Sequence, residues 1–197
     1  MPAQTATPRK QQSHDRILDV ASKALREGGF QGVGVADVMK RAGLTHGGFY
    51  AHFASREALL AEALDRAGQD SQTRLQKSVA TGEAKAISPF RALVEGYLSE
   101  RHLQSPGSGC PVASLASDVP RQADVVREAA LRRIDGLTDA VARALGPTHR
   151  PDAAAIVVAQ LVGALQIARA YGNNARGRRH LAISREHLLG QFEPLPA

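Results

Sequence analysis

The chain has no tryptophan, two methionines and one cysteine among its 197 residues, with only three tyrosines and five phenylalanines. The single cysteine, Cys110, excludes an internal disulfide framework and fits a reducing compartment. Strand formers never gather into alternating runs, so the pattern contains no candidate sheet. No uncharged apolar run reaches 18 residues, and no charged-then-apolar leader opens the chain. The expectation is a cytoplasmic protein with no membrane span. His102, His149, His180 and His187 are scattered, with no Cys/His/acid spacing of the kind that holds zinc. There is no phosphate or cofactor loop either, so neither a metal nor a cofactor is expected.

Ala, Leu, Arg and Glu dominate what is present, which favours an all-α chain long enough to bury a sizeable core. The net charge is +6 and the isoelectric point is near 10.0, a balance that suits a polyanionic partner. Its distribution is more informative. Residues 1–56 carry eight Lys/Arg against four acids, so the first quarter of the chain supplies most of the excess. Contact with phosphates requires such a basic segment.

The polar opening MPAQTATPRKQQ (1–12) is expected to be a disordered arm. Ser13 is placed to cap a first helix whose Ile17, Leu18, Ala21 and Leu25 form one stripe, stopped by Gly28-Gly29. A short second helix is predicted from Val35 to Ala42, then a turn at Gly43, then a third helix capped by Thr45 and running to about Phe53. Ser55 caps a long helix that begins Arg56-Glu57-Ala58. Further on, Ser88-Pro89 starts a helix to about Leu103, and Gln104–Gly109 is read as a flexible loop. Cys110-Pro111 opens a short helix, Pro120 begins one reaching Leu145, Asp152–Ala170 is apolar nearly all round, and Arg178–Leu189 closes the chain.

Three short helices with Gly43 between the second and third make a helix-turn-helix, whose third helix enters the major groove. The segment AGLTHGGFYAHFASREALL (42–60) resembles the signature of the TetR family. Gly43, Thr45, Gly47, Tyr50, His52, Phe53, Ser55, Arg56, Glu57 and Leu59 carry the resemblance, which spans about residues 13–64. It implies a helix-turn-helix head at 13–56, and a helical-bundle domain at 57–197 for ligand binding and dimerisation. It also implies a regulator, expected to be a repressor, that leaves a palindromic operator when an inducer acts.

In this reading Thr45 caps the recognition helix and offers its hydroxyl to a phosphate. Gly47 and Gly48 let the backbone approach the duplex, and His46, Tyr50 and His52 reach phosphates or base edges. Arg56 supplies a cation at a helix start. Gly34 stands where the family usually has a capping Thr or Ser, and Lys40 with Arg41 can offset the lost phosphate contact. A helix this short reads few base pairs, so two copies related by a dyad are expected. The apolar helix offers Ile156, Val157, Leu161 and Leu165, and the last helix Leu188, for a four-helix interface.

Cys110 follows a Gly/Ser/Pro loop and precedes Pro111 at a helix start, a setting that favours thiolate. GCPVASLASD resembles a Gly-Cys segment of TetR-type repressors in which a cysteine senses electrophiles or oxidants. Other members with a similar segment answer to reversibly bound aromatics. Cys110, Tyr97 and His102 are therefore the sensor candidates, against the plain reading of Cys110 as a small buried group. Two rival classes stand beside the regulator. One is an architectural DNA-binding protein without an inducer. The other is an enzyme using Cys110 and His102 as nucleophile and base, which lacks an orienting acid.

Overall fold

Helix formation begins earlier than the polarity of the N-terminus suggests. The computed structural model describes residues 8–150 and 152–193, and its first helix, α1 (Pro8–Gly28), already includes 8–12. The expected arm is therefore wrong for these five residues, while 1–7 lie outside the described residues. Proline tolerates a first helical turn, and Gln11 donates to Asp15 one turn on (3.1 Å), which supports the polar segment as helix. Ser13, expected as the cap, lies inside α1. Gly29, at φ 68°, ends the helix in a conformation costly to any other residue.

A single 3-10 turn (Phe30–Gly32) leads to α2 (Val35–Arg41). Gly43, at φ 72°, turns the chain into a 3-10 helix, His46–Ala51. The expected α-helix reaching Phe53 is thus shorter and tighter. Two adjacent glycines weaken α propensity, and six residues can close as i→i+3 bonds. Ser55 then caps α3 (Arg56–Glu83) by accepting from the Ala58 N–H at 3.1 Å. At 28 residues α3 is about 42 Å long.

The predicted helix to Leu103 is broken in two, α4 (Pro89–Tyr97) and α5 (Glu100–Gln104). Ser99 causes the break: its hydroxyl accepts from the His102 N–H (3.2 Å) and donates to the Gly96 carbonyl (2.9 Å), capping a new helix. The loop beyond contains a 3-10 turn, Pro106–Ser108, followed by α6 (Pro111–Leu115). Next, α7 (Asp124–Leu145) starts four residues after Pro120, which sits in its own 3-10 turn. The chain closes with α8 (Ala153–Tyr171) and α9 (Ala175–Phe192), the latter capped by the Asn174 side chain. Among the described residues there is no strand.

Two apolar cores form. The first joins α1, α2, the 3-10 helix and the start of α3 with Leu115, Val119, Val126, Ala129 and Ala130. The head therefore does not end at residue 56; its core is completed by α6 and α7. The second core fills the space between α4, α7, α8 and α9. Helix α3 belongs to both, its Leu59, Leu60 and Leu64 in the first and Leu75 and Val79 against the second.

Candidate functional site

The 3-10 helix is anchored from beneath and bare above. Phe49 and Phe53 are buried and stack at 5.7 Å, and Met39 of α2 closes the underside. Outward lie Thr45, His46, Gly47 and Tyr50, the last 74% exposed with its ring edge-on to Phe49. Lys40 and Gly34 are exposed on and before α2. Thr45 occupies the cap position, but its side chain makes no capping bond, so the hydroxyl is free for another partner. A Cβ built on Gly47 would meet nothing within 4 Å, and one on Gly48 would make ordinary contact with Met39 at 3.7 Å and Thr45 Oγ1 at 3.9 Å. Neither has a positive φ. Packing therefore does not require glycine at 47.

Arg56 does not belong to this surface. Its Nε donates to the Val33 carbonyl (3.1 Å) and its Nη2 to the Phe30 carbonyl, so the guanidinium pins the turn before α2 to the start of α3. The role expected for it as a phosphate cation is corrected to a structural one. His52 is half-buried with a shielded Nδ1. Burial, and then the charges of His14 and Lys10, lower its pKa, which favours a neutral ring. His14 stacks on Phe53 (4.6 Å) and meets Glu62 at 2.8 Å, tying α1 to α3.

The sensor candidates do come together. Cys110 is 2% exposed and Tyr97 1%. The Cys110 N–H donates to His102 Nε2 at 2.9 Å, and His102 Nδ1 lies 2.7 Å from the Tyr97 carbonyl. This arrangement requires a neutral ring protonated on Nδ1, and burial lowers the His102 pKa to about 4. The Tyr97 hydroxyl is buried without a hydrogen-bond partner, and burial followed by the neighbouring Cys110 raises its pKa well above the usual range. Arg169 of α8 donates to Ser114 Oγ (3.2 Å) and to the His102 carbonyl (3.0 Å). A cleft of about 120 Å³ between α3 and α7 reaches Cys110. Because α6 has only five residues, the dipole expected to act on the thiol is slight.

Comparison with known proteins places this geometry. The pattern described as bacterial regulatory proteins, tetR family, matches residues 17–63, from within α1 through the 3-10 helix into the first turns of α3. Over residues 17–63 the chain is similar to the TetR family. Its relatives include the HTH-type transcriptional repressor DhaR of Mycobacterium sp. (strain GP1), 27% identical over 116 residues. That match covers 59% of this chain and 57% of DhaR, so it spans little more than half of that relative. The HTH-type transcriptional repressor NemR of Escherichia coli K12 is 25% identical over 68% of this chain and 67% of its own. The crystal structure of the reduced form of E. coli NemR superposes with a TM-score of 0.75, at 22% identity, over 94% of this chain and 99% of that one. A TetR regulator from Legionella pneumophila gives 0.75 at 15% identity, over 97% and 100%. The all-helical fold is thus shared along the full length.

In the second domain the residues named for a dimer interface divide. Val157, Leu161, Leu165 and Leu188 are each fully buried in the second core. They hold α8 and α9 to their own chain, so four of the five expected interface residues are reassigned to the core. Of the five, Ile156 alone faces outward (44% exposed), joined by Ile167 (46%) of the same helix and Ile183 (54%) of α9. Helix α8 is long and apolar enough to cross a membrane by length and composition, but its inner side is core.

Proposed function

We propose that this chain is a homodimeric, DNA-binding transcriptional repressor of the cytoplasm that recognises a palindromic operator in double-stranded DNA and leaves it when its regulatory domain is modified or occupied. The observation that carries the reading is the exposed Thr45–Tyr50 surface, with a glycine at 47 that the fold does not need. A bare backbone beside Tyr50 and Lys40 suits close approach to a phosphate-lined groove. The outward isoleucines of α8 and α9 suit pairing with a second copy, which would set two heads on adjacent half-sites. Footprinting on the DNA upstream of its own gene tests the reading. A protected palindrome supports it, and equal affinity for that DNA and random duplex returns the architectural alternative.

Two inputs suit the regulatory half. A small molecule can occupy it reversibly, or Cys110 can be modified. The second is favoured by the cleft that has Cys110 in its lining and by the buried, unpartnered Tyr97 hydroxyl near that residue. An electrophilic alkene would add there: an S–C bond forms, the C=C π bond breaks, and the thiol proton ends on the adjacent carbon. Tyr97 and His102 would rearrange to admit the adduct. Cys110→Ser separates the inputs, since it abolishes release by N-ethylmaleimide and leaves release by a reversible ligand intact. Unchanged release by the maleimide in that variant refutes the thiol route.

A further inference from the structure

An open groove of about 610 Å³ runs between α3, α4, α5 and the turn that follows them. Four cations line it: Arg74, Lys77, Lys85 and Arg101. Among the described residues none of the four has a carboxylate within ion-pair distance, whereas nine of the other 18 arginines of the chain have one. The one acid in the lining, Glu95, is paired with Arg91 at 3.5 Å. Leu75, Ile87 and Ala92 give the groove an apolar wall.

Unpaired like charges usually spread over convex, solvated surface. Here they converge on a concavity beside apolar side chains. We propose that this groove is a binding site for an amphipathic organic anion, a sulfonate, carboxylate or phosphate carried on an apolar body. Nucleic acid is a poor occupant for it. Along α3, Arg74 stands about 27 Å and Lys77 about 32 Å from Arg56 at the head, and Lys85 follows the far end of that helix, beyond the reach of a duplex lying on the 3-10 helix. The half-buried Arg74 is already disfavoured as a cation by desolvation and by Arg26 and Arg101, so an anion there relieves an unfavourable charge.

The same arginine links the groove to the head. Arg74 Nη2 donates to the Gly109 carbonyl at 3.3 Å, and the adjoining turn Pro106–Ser108 packs on α1. At Gly107 the contact is so close that a Cβ would lie 2.2 Å from Glu27 Oε1 in the last turns of α1. An anion that engages Arg74 competes with the Gly109 carbonyl and bears on the turn that supports the DNA-binding helices. This coupling rests on the regulator reading; the binding site does not.

The test uses 8-anilinonaphthalene-1-sulfonate as the anion and N-phenyl-1-naphthylamine as its neutral counterpart, both read by fluorescence on the full chain. The sulfonate should bind at one site per chain and weaken with salt. In the double variant Lys77→Gln/Arg101→Gln it should bind about tenfold more weakly, with melting temperature and neutral-probe binding unchanged. Equal binding of the two probes, or unaltered sulfonate binding in the variant, overturns the site. Operator release is measured separately with the sulfonate. If the wild type binds the probe and keeps its operator, the coupling is refuted. If no promoter fragment binds at all, the regulator reading fails while the site stands.

Discussion

The backbone N–H of Cys110 donates to His102 Nε2 across 2.9 Å, so this histidine must stay neutral for α6 to begin where it does. Protonation would turn Nε2 from acceptor to donor and oppose that N–H. With the folded pKa lowered to about 4, the unfolded chain binds the proton first as pH falls below about 6.5. Stability contributed by neutral His102 is therefore fully present above the unfolded pKa and is lost between pH 6.5 and about 4. At most about 3 kcal/mol is at stake. Chemical denaturation at pH 7.5, 6 and 5 should show this decline, and the His102→Gln variant should show a shallower one. Parallel profiles would remove His102 as the cause.

Gly47→Ala separates fold from function at the head. The added methyl meets nothing within 4 Å, and a glycine without positive φ gains from losing freedom in the unfolded chain. The variant should be as stable as the wild type or more so, by about 0.4–1 kcal/mol. Operator affinity should fall at least severalfold, because the methyl stands between backbone and duplex. Thermal melts and gel-shift titration are the two readouts. Undiminished affinity would mean that Gly47 is not at the DNA surface.

Arg56 should behave in the opposite way. Its guanidinium satisfies the carbonyls of Phe30 and Val33, both buried residues, and removing it leaves those oxygens short of a donor. Arg56→Met should cost about 1–3 kcal/mol, seen as a fall of several degrees in melting temperature. The dependence of operator affinity on salt should stay at its wild-type slope, since no phosphate contact is lost. A reduced slope with unchanged stability would return Arg56 to the phosphate surface.

These three residues show where sequence patterns carry information and where they stop. Signals that act within one turn were legible: Gly29 ending α1, Ser55 capping α3, Ser88-Pro89 opening α4 and Cys110-Pro111 opening α6. Arg56 reads as a free cation because its acceptors lie 23 and 26 residues earlier, and no local rule joins them. Helix α8 was legible as a buried helix but not in its orientation. With apolar residues all round it, periodicity cannot separate the side facing its own core from the outward one. The groove cations are spread from residue 74 to 101, on α3, the turn after it and α5, whose adjacency only the fold creates. Ser99, which divides α4 from α5, is a local capping signal inside an apolar pattern that otherwise reads as one continuous helix.

Ile183 is the sharpest probe of pairing between copies. It is 54% exposed on α9, and Ile156 and Ile167 are exposed on α8, the helix α9 packs against. Gly163 lies between those two, with open space where a side chain would be. In an isologous interface each isoleucine is buried twice, once per copy, at about 1.5–3 kcal/mol for each side chain fully removed from water. Ile183→Glu places two carboxylates near the dyad and removes two apolar contacts. The expected result in sedimentation velocity at micromolar concentration is a wild-type dimer and a variant monomer, with helical content unchanged by circular dichroism. Operator affinity should fall with it, because one head contacts only half a palindrome. Leu188→Ala is the contrasting change, since it opens a cavity inside the chain's own core and should cost about 2–5 kcal/mol of stability. A monomeric wild type, or an Ile183→Glu protein that keeps the wild-type mass, would show that the exposed stripe of α8 and α9 is not where two copies meet.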